Sequence, residues 1–136
     1  MTVIVIDTSV ALQWVLPEPG AEEAYRYTKA NDVISADVLL VEAANVLAKK
    51  VRAHTMSGDE AVRGLALIKS GVRRLMPLQF LVTRALELSI ELSHPVYDCV
   101  FLACAEQEGG VLATRDAPFI TRVTERGYGR LLESAP

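Results

Sequence analysis

Cysteine and long apolar runs are both scarce in the sequence, and each shortage excludes a class of protein. Only two cysteines occur in 136 residues, Cys99 and Cys104 in one apolar segment, so we expect no disulfide framework or zinc site and a reducing, cytoplasmic location. The longest stretch without a charged residue, residues 8–17, is half of the ~20 residues that a membrane-spanning helix needs. No basic segment precedes Asp7, so we expect no signal peptide.

A large excess of charge of one sign is also missing. The sequence has 14 Lys and Arg against 17 Asp and Glu, for a net charge of −3, and 51% of its residues are apolar, which excludes disorder. Linkers, repeats and low-complexity tracts are absent, so we expect one domain over residues 1–136. The mild acidity counts against a nucleic-acid partner unless the acids are concentrated in one place.

Short apolar runs alternate along the chain with longer helical patterns. The strand candidates are Val3–Ile6, Val33–Ser35, Arg74–Met76 and Val111–Thr114. The helix candidates are Val10–Leu16, Gly20–Ala30, Val38–Ala53, Ser57–Ser70, Leu78–Leu92 and Asp98–Glu108. This order predicts an α/β fold with a central, mainly parallel β-sheet flanked by α-helices.

Four acidic residues occupy positions where a ligand site of such a fold is expected. Asp7 and Asp116 follow strand candidates, and the carboxyl ends of parallel strands are where open sheets bind ligands. Glu42 and Asp98 lie in otherwise apolar helical segments. If the four converge, their repulsion favours either bound protons or a bound cation. A donor set made only of oxygen suits Mg²⁺ or Mn²⁺ rather than zinc.

Each acid taken alone also has a structural explanation. Asp7 and Asp98 can cap the helices that follow them, and Asp116 can cap a helix or form a turn before Pro118. Glu42 can be one polar residue on a solvated helix face. The individual positions leave these alternatives open.

The segments that carry the four acids, taken together, resemble the PIN-domain ribonucleases, and among them the VapC-type toxins of bacterial and archaeal toxin–antitoxin pairs. Each segment is short, and the specificity comes from their order and separation along nearly the whole chain. They are VIDTSVALQW from Val5, LLVEAANVL from Leu39, PVYDCVFLA from Pro95 and VLATRDAPF from Val111.

The resemblance implies a PIN-like fold and a metal-dependent endoribonuclease that acts as the toxin of a VapBC-type pair. The residues that would hold Mg²⁺ or Mn²⁺ and catalyse hydrolysis are Asp7, Glu42, Asp98 and Asp116. Those that match supporting positions are Ser9, Thr114 and Asn45. The implied partners are an RNA substrate, a cognate VapB-like antitoxin and a second copy of the chain.

The remaining polar residues are interpreted from their positions. Lys49 and Arg52 share the helix face of Glu42, so we expect them to contact the RNA backbone. We expect Lys69, Arg73 and Arg74 to form ordinary surface, His54 and His94 to be structural rather than catalytic, and Trp14 to serve either the core or a partner surface. Setting the four acids aside leaves 14 basic against 13 other acidic residues, so the net charge no longer argues against RNA.

Rival functions make different demands on the sequence. Haloacid-dehalogenase-type phosphatases require a second acid two residues after the first, where this chain has Ser9, and receiver domains require an acidic pair beside the first strand. Two alternatives within the PIN-like class stay open. One is an RNA-processing nuclease outside any toxin–antitoxin pair, which the lack of an upstream antitoxin gene would favour. The other is an inactive PIN-like binding module, which loss of one of the four acids would indicate.

Overall fold

The structure, a computed structural model, describes residues 2–16, 21–22 and 32–133. These residues form a four-stranded sheet in the order β3-β2-β1-β4, with every neighbouring pair parallel. The strands are β1 (Val3–Ile6), β2 (Asp32–Ala36), β3 (Arg74–Met76) and β4 (Val111–Ala113). The central strand β1 is buried from Ile4 to Ile6, as expected for a parallel strand that helices cover.

In the part of the chain that the structure describes, six α-helices can be given with both ends, and they connect and cover the strands. They are α1 (Thr8–Gln13), α2 (Val38–Arg52), α3 (Gly58–Gly71), α4 (Val82–Leu92), α5 (Val96–Gln107) and α6 (Ala117–Glu125). Short 3₁₀ turns precede α4 and follow α6, at Leu78–Phe80 and Gly129–Leu131. None of the helices in the described ranges is long and apolar enough to cross a membrane.

Helix α5 forms the centre of the packing. It contacts β1, β2 and β4, and α4 packs on its other side. Its buried residues run without a break from Cys99 to Ala105, which explains why the sequence of this helix is apolar nearly all round. Helix α2 packs against α1 and α3. Helix α1 also contacts β1.

The predicted α/β fold with a parallel sheet is confirmed, and most predicted elements lie where the sequence indicates. Ser57 begins α3 with a capping box: the backbone N–H of Glu60 donates to Ser57 Oγ, and the backbone N–H of Ser57 donates to Glu60 Oε1, each at 3.1 Å. The predicted helix Gly20–Ala30 lies outside the described residues except for residues 21–22. Several boundaries differ: α1 covers Thr8–Gln13 rather than Val10–Leu16, α4 begins at Val82 after a 3₁₀ turn rather than at Leu78, and α5 begins at Val96, before Asp98. Helix α6 is an element that the sequence analysis did not predict.

Candidate metal centre

The register of the two neighbouring strands β1 and β4 brings the first acid of the site into place. Ile6 is paired with Ala113, and the backbone N–H of Asp7 donates to the Ala113 carbonyl at 3.3 Å. Asp7 and Thr114 therefore leave the sheet side by side at its carboxyl edge. This is the edge where parallel sheets bind ligands.

Asp7 is buried, with 5% of its surface exposed, and three donors fix its carboxylate. Ser9 Oγ and the backbone N–H of Val10 donate to Oδ1 at 2.6 and 3.0 Å. Thr114 Oγ1 donates to Oδ2. The bond from Val10 makes Asp7 the N-cap of α1, so the capping role considered for this residue is present together with its place in the site.

Glu42 reaches the same place from the second turn of α2. Thr8 Oγ1 donates to Glu42 Oε1 at 2.5 Å, and this contact joins the first residue of α1 to the second turn of α2. Since α1 also packs against α2, this hydrogen bond holds the half-buried Glu42 side chain at the cleft that Asp7 also lines. The solvated-face alternative for Glu42 is therefore wrong.

Asp98 and Asp116 complete the group of acids. Asp98 lies in the first turn of α5 and Asp116 is the N-cap of α6, where its Oδ1 accepts from the Phe119 N–H at 3.2 Å. His94 Nε2 lies 2.6 Å from Asp98 Oδ2. One ligand atom from each of His94, Asp98 and Asp116 can be chosen so that all three lie within 4.8 Å of one another. Asp98 accepts no capping hydrogen bond, because Pro95 is the N-cap of its helix.

A cleft of about 300 Å³ contains all four acids. Its walls come from α1, α2, α5 and the residues that directly follow β1 and β4. The lining residues are Asp7, Thr8, Ser9, Glu42, Asn45, Val46, Asp98, Phe101 and Asp116. The convergence that spacing alone could not prove is thus a property of the fold.

Burial and mutual repulsion make the cleft costly for negative charge. Burial is the largest cause that raises the pKa of Asp7, of Glu42 and of Asp98 above its ordinary value. The neighbouring carboxylates add to this effect: the Asp98 charge raises the pKa of both Asp7 and Glu42, and Asp116 raises that of Asp98. The groups that lower these pKa values are hydrogen-bond donors, including His94 beside Asp98.

A divalent cation fits this arrangement. Carboxylate oxygens are hard ligands, which suit Mg²⁺ or Mn²⁺. Asp98 and Asp116 have oxygens close enough to share one ion, and Asp7 and Glu42 line the same cleft. A cation among them would offset the repulsion that raises the three pKa values. The residues present therefore match the ion that the family resemblance implies.

The supporting residues predicted from the sequence occupy three different positions. Ser9 and Thr114 contact Asp7 directly, and Asn45 lines the cleft one helical turn after Glu42. Lys49 and Arg52 are exposed and continue the helix that carries Glu42 and Asn45. Their role towards RNA stays a prediction.

The other residues that the sequence assigns to the surface or the core lie outside the cleft. Arg73 pairs with Asp32 at 2.5 Å and Arg74 with Glu108 at 2.7 Å, so these two cations form ion pairs at the surface. Trp14 is partly buried against the core, and its ring lies over Gly71. Cys99 and Cys104 are buried and free, and burial raises the pKa of each thiol to about 12. None of these residues lines the cleft.

Sequence reasoning missed two contributors to the site. His94 was assigned a purely structural role because it lacked ligand spacing, and that assignment overlooked its contact with Asp98 four residues later. Thr8 is the second, a residue that the sequence analysis did not single out although its hydroxyl donates to Glu42. The pattern His-Pro-x-x-Asp was the available signal for His94, whereas nothing local could pair Thr8 with a residue 34 positions away.

Comparison with known proteins gives consistent results. The PIN domain family matches residues 4–123. Ribonuclease VapC3 of Pyrobaculum aerophilum is 29% identical over 116 residues, which are 83% of this chain and 88% of that protein. Two solved structures share the fold. PAE2754 from P. aerophilum has a TM-score of 0.69 at 22% identity, over 89% of this chain and 86% of that one. VapBC2 from Rickettsia felis, bound to a DNA fragment from their promoter, has a TM-score of 0.68 at 13% identity, over 98% and 99%.

Proposed function

The chain belongs to the PIN domain family, and on that basis we propose that it is a metal-dependent endoribonuclease that acts as the toxin of a VapBC-type toxin–antitoxin pair. The observation that carries the proposal is the convergence of Asp7, Glu42, Asp98 and Asp116 on one cleft. The similarity to Ribonuclease VapC3 supports RNA as the substrate. The similarity to the VapBC2 structure supports the toxin–antitoxin setting.

In this proposal the four acids divide into two groups by how they are held. Asp7 is buried and receives three hydrogen bonds, so its oxygens have one fixed orientation. Glu42, Asp98 and Asp116 each come from a separate helix end or helix face around it. A Mg²⁺ or Mn²⁺ ion bound by these residues would supply an activated water and offset the charge that develops on a phosphodiester.

The chain's own residues then have defined tasks. Ser9 and Thr114 hold the Asp7 carboxylate, and Thr8 holds that of Glu42, so the ligand oxygens are oriented before anything binds. Preorganisation of this kind lowers the cost of ordering the site during binding. Two of these three hydroxyls belong to Thr8 and Ser9, the first two residues of α1, which makes the start of that helix part of the site.

The proposed partners are an RNA substrate, a VapB-like antitoxin and a second copy of the chain. The proposal of an antitoxin partner is based on the similarity to the structure named VapBC2 from R. felis. The proposal of a homodimer is based on the resemblance to the VapC-type toxins. A small reading frame directly upstream of the gene would agree with an antitoxin partner.

Metal removal should abolish RNA cleavage. We expect purified protein to cleave single-stranded RNA in Mg²⁺ or Mn²⁺, to lose the activity in EDTA and to regain it when the ion is restored in excess, because an all-oxygen set of acids needs a hard cation to act on a phosphodiester. Gel analysis of a labelled RNA measures this. The Asp7→Asn protein, purified in parallel, controls for contaminating nucleases, and undiminished cleavage in EDTA would contradict the proposal.

Replacing Lys49 or Arg52 by Gln should weaken RNA binding without altering the cleft. Both side chains are exposed, and both continue the α2 helix that carries Glu42 to the cleft. Each lost phosphate contact on single-stranded RNA should reduce the slope of log affinity against log salt by about 0.7. Fluorescence anisotropy at several salt concentrations measures the slope, with EDTA present to prevent cleavage. Lys69→Gln is the matched control, and a slope equal to that of the unchanged protein for Lys49→Gln and Arg52→Gln would refute the assignment.

A further inference from the structure

We propose that His94 is a positioning residue of the metal site, which acts by fixing the Asp98 carboxylate through a hydrogen bond from its ring Nε2–H. The proposal rests on the proposed function, since it assigns a task within the same cleft. His94 directly precedes Pro95, the N-cap of α5, and Asp98 follows in the first turn of that helix. This places the imidazole 2.6 Å from Asp98, between Nε2 and Oδ2.

The imidazole is itself held from several sides. Its ring lies 4.6 Å from the ring of Phe119, centroid to centroid, with an interplanar angle of 35°. Ser89 Oγ donates to the His94 carbonyl at 2.5 Å, and the His94 N–H donates to the Ser89 carbonyl at 3.2 Å. The His94 side chain is only 15% exposed. An imidazole fixed at both its ring and its backbone can in turn fix the group that it contacts.

Phe119 connects this contact to a second acid of the site. Its ring contacts His94, whereas its backbone N–H donates to Asp116 Oδ1 at 3.2 Å. Phe119 is 1% exposed and belongs to the core, so it cannot shift without disturbing α6. His94 therefore completes a path of contacts that holds Asp98 and Asp116 in a constant relation: Asp98 to imidazole, imidazole to the Phe119 ring, and Phe119 backbone to Asp116.

The chemistry of the contact favours positioning over direct ligation. A carboxylate that binds a cation is ionised and only accepts hydrogen bonds, so in the metal-bound site Nε2 would be the donor in this contact. A protonated Nε2 cannot bind a metal, and a hydrogen bond on Oδ2 leaves Oδ1 of Asp98 for the ion. Hydrogen bonds to ligating carboxylates of this kind change metal affinity by about 10–100-fold when they are removed.

Two substitutions separate the hydrogen bond from the ring packing. His94→Gln keeps an N–H donor near the Nε2 position but loses the aromatic ring, whereas His94→Phe keeps a ring against Phe119 but loses the donor. We would measure the Mn²⁺ dissociation constant of the full chain, without RNA, from the electron paramagnetic resonance signal of free Mn²⁺. Thermal melts in EDTA report whether each variant is folded.

The proposal expects His94→Gln to bind Mn²⁺ within about threefold of the unchanged protein and His94→Phe to bind it about 10–100-fold more weakly. A histidine-nitrogen NMR spectrum of the unchanged protein should also show the His94 proton on Nε2, which needs no variant to fold. Equal affinity of His94→Phe and the unchanged protein would overturn the proposal, as would His94→Gln binding no better than His94→Phe. If the unchanged protein binds no Mn²⁺, the proposed function itself fails, and that result differs from both of these.

Discussion

Asp7→Asn should abolish RNA cleavage, by more than about 10³-fold, while the metal-free protein becomes more stable than the unchanged chain. Cleavage is lost because the amide removes one charge from the ligand set and replaces an acceptor oxygen by a donor. Stability rises because the buried carboxylate of Asp7 carries a charge that burial disfavours, as the raised pKa indicates. The hydroxyls of Ser9 and Thr114 can reorient to serve an amide, so the capping geometry survives.

The gain in stability depends on pH in a definite direction. A carboxyl whose folded-state pKa lies above its unfolded value destabilises the folded state as pH rises from the ordinary value of 3.8 through the raised one. The difference in free energy of unfolding between Asp7→Asn and the unchanged protein should therefore be small in acid, grow through that window and stay constant above it. Urea titrations in EDTA at several pH values measure this difference.

Adding Mn²⁺ should reverse the order of stability. An ion that binds only the folded, unchanged protein stabilises it by about 2.7 kcal/mol at a hundred times its dissociation constant, and the variant should gain far less. Asp59→Asn, an exposed acid in the first turn of α3, is the matched control and should neither lose activity nor respond differently to Mn²⁺. An Asp7→Asn protein that cleaves RNA normally, or that is less stable in EDTA, would contradict this picture of the site.

Gly110→Ala should destabilise the protein by about 1–3 kcal/mol and reduce its activity as well. A Cβ on Gly110 would lie 2.5 Å from the Val3 carbonyl oxygen. Val3 belongs to β1, which is paired with a strand on each side, so its backbone can move only at a cost in stability. The added methyl group would push β4 away from β1 at the point where their pairing begins. Because β4 leads directly to Thr114 and Asp116, the strain should also displace two residues of the site.

Gly58→Ala provides the contrast. Nothing lies within 4 Å of a Cβ at Gly58, which is the first residue of α3, so this substitution should leave stability unchanged or raise it by up to about 1 kcal/mol. Urea unfolding of both variants, followed by far-UV circular dichroism, measures the difference. A Gly110→Ala protein within about 0.5 kcal/mol of the unchanged chain would show that the two strands tolerate a wider separation.

The parallel sheet, and the carboxyl edge where the site lies, could be predicted because the sequence patterns that indicate them are local. Val3–Ile6 is an apolar, β-branched run that ends at an acid, and strands of that kind are buried in parallel sheets. The all-round apolar sequence of α5 likewise predicts a helix covered on every side. Helix α6 was missed, although Asp116 and Pro118 form a helix-start signal, because its buried face consists of only Phe119 and Val123.

Convergence of the acids could not be predicted from spacing. Glu42 meets Asp7 because Thr8 and the packing of α1 on α2 turn it inwards, and both are tertiary contacts. Only the resemblance to the PIN-domain ribonucleases predicted the meeting, and the family match now confirms that resemblance. His94 illustrates the opposite case, in which the four-residue spacing to Asp98 is visible in the sequence but does not by itself predict a contact. A histidine beside an acid is informative only once the direction of both side chains is known.

Mapping the ends of cleaved RNA tests most directly whether the Asp7 cleft is a ribonuclease site. A defined single-stranded RNA pool would be incubated with the unchanged chain and with Asp7→Asn, each in Mn²⁺ and in EDTA, and the new ends would be sequenced. We predict a reproducible set of ends that appears only with the unchanged chain in Mn²⁺. The same ends from Asp7→Asn in Mn²⁺, or from the unchanged chain in EDTA, would contradict the assignment of this cleft as a metal-dependent ribonuclease centre.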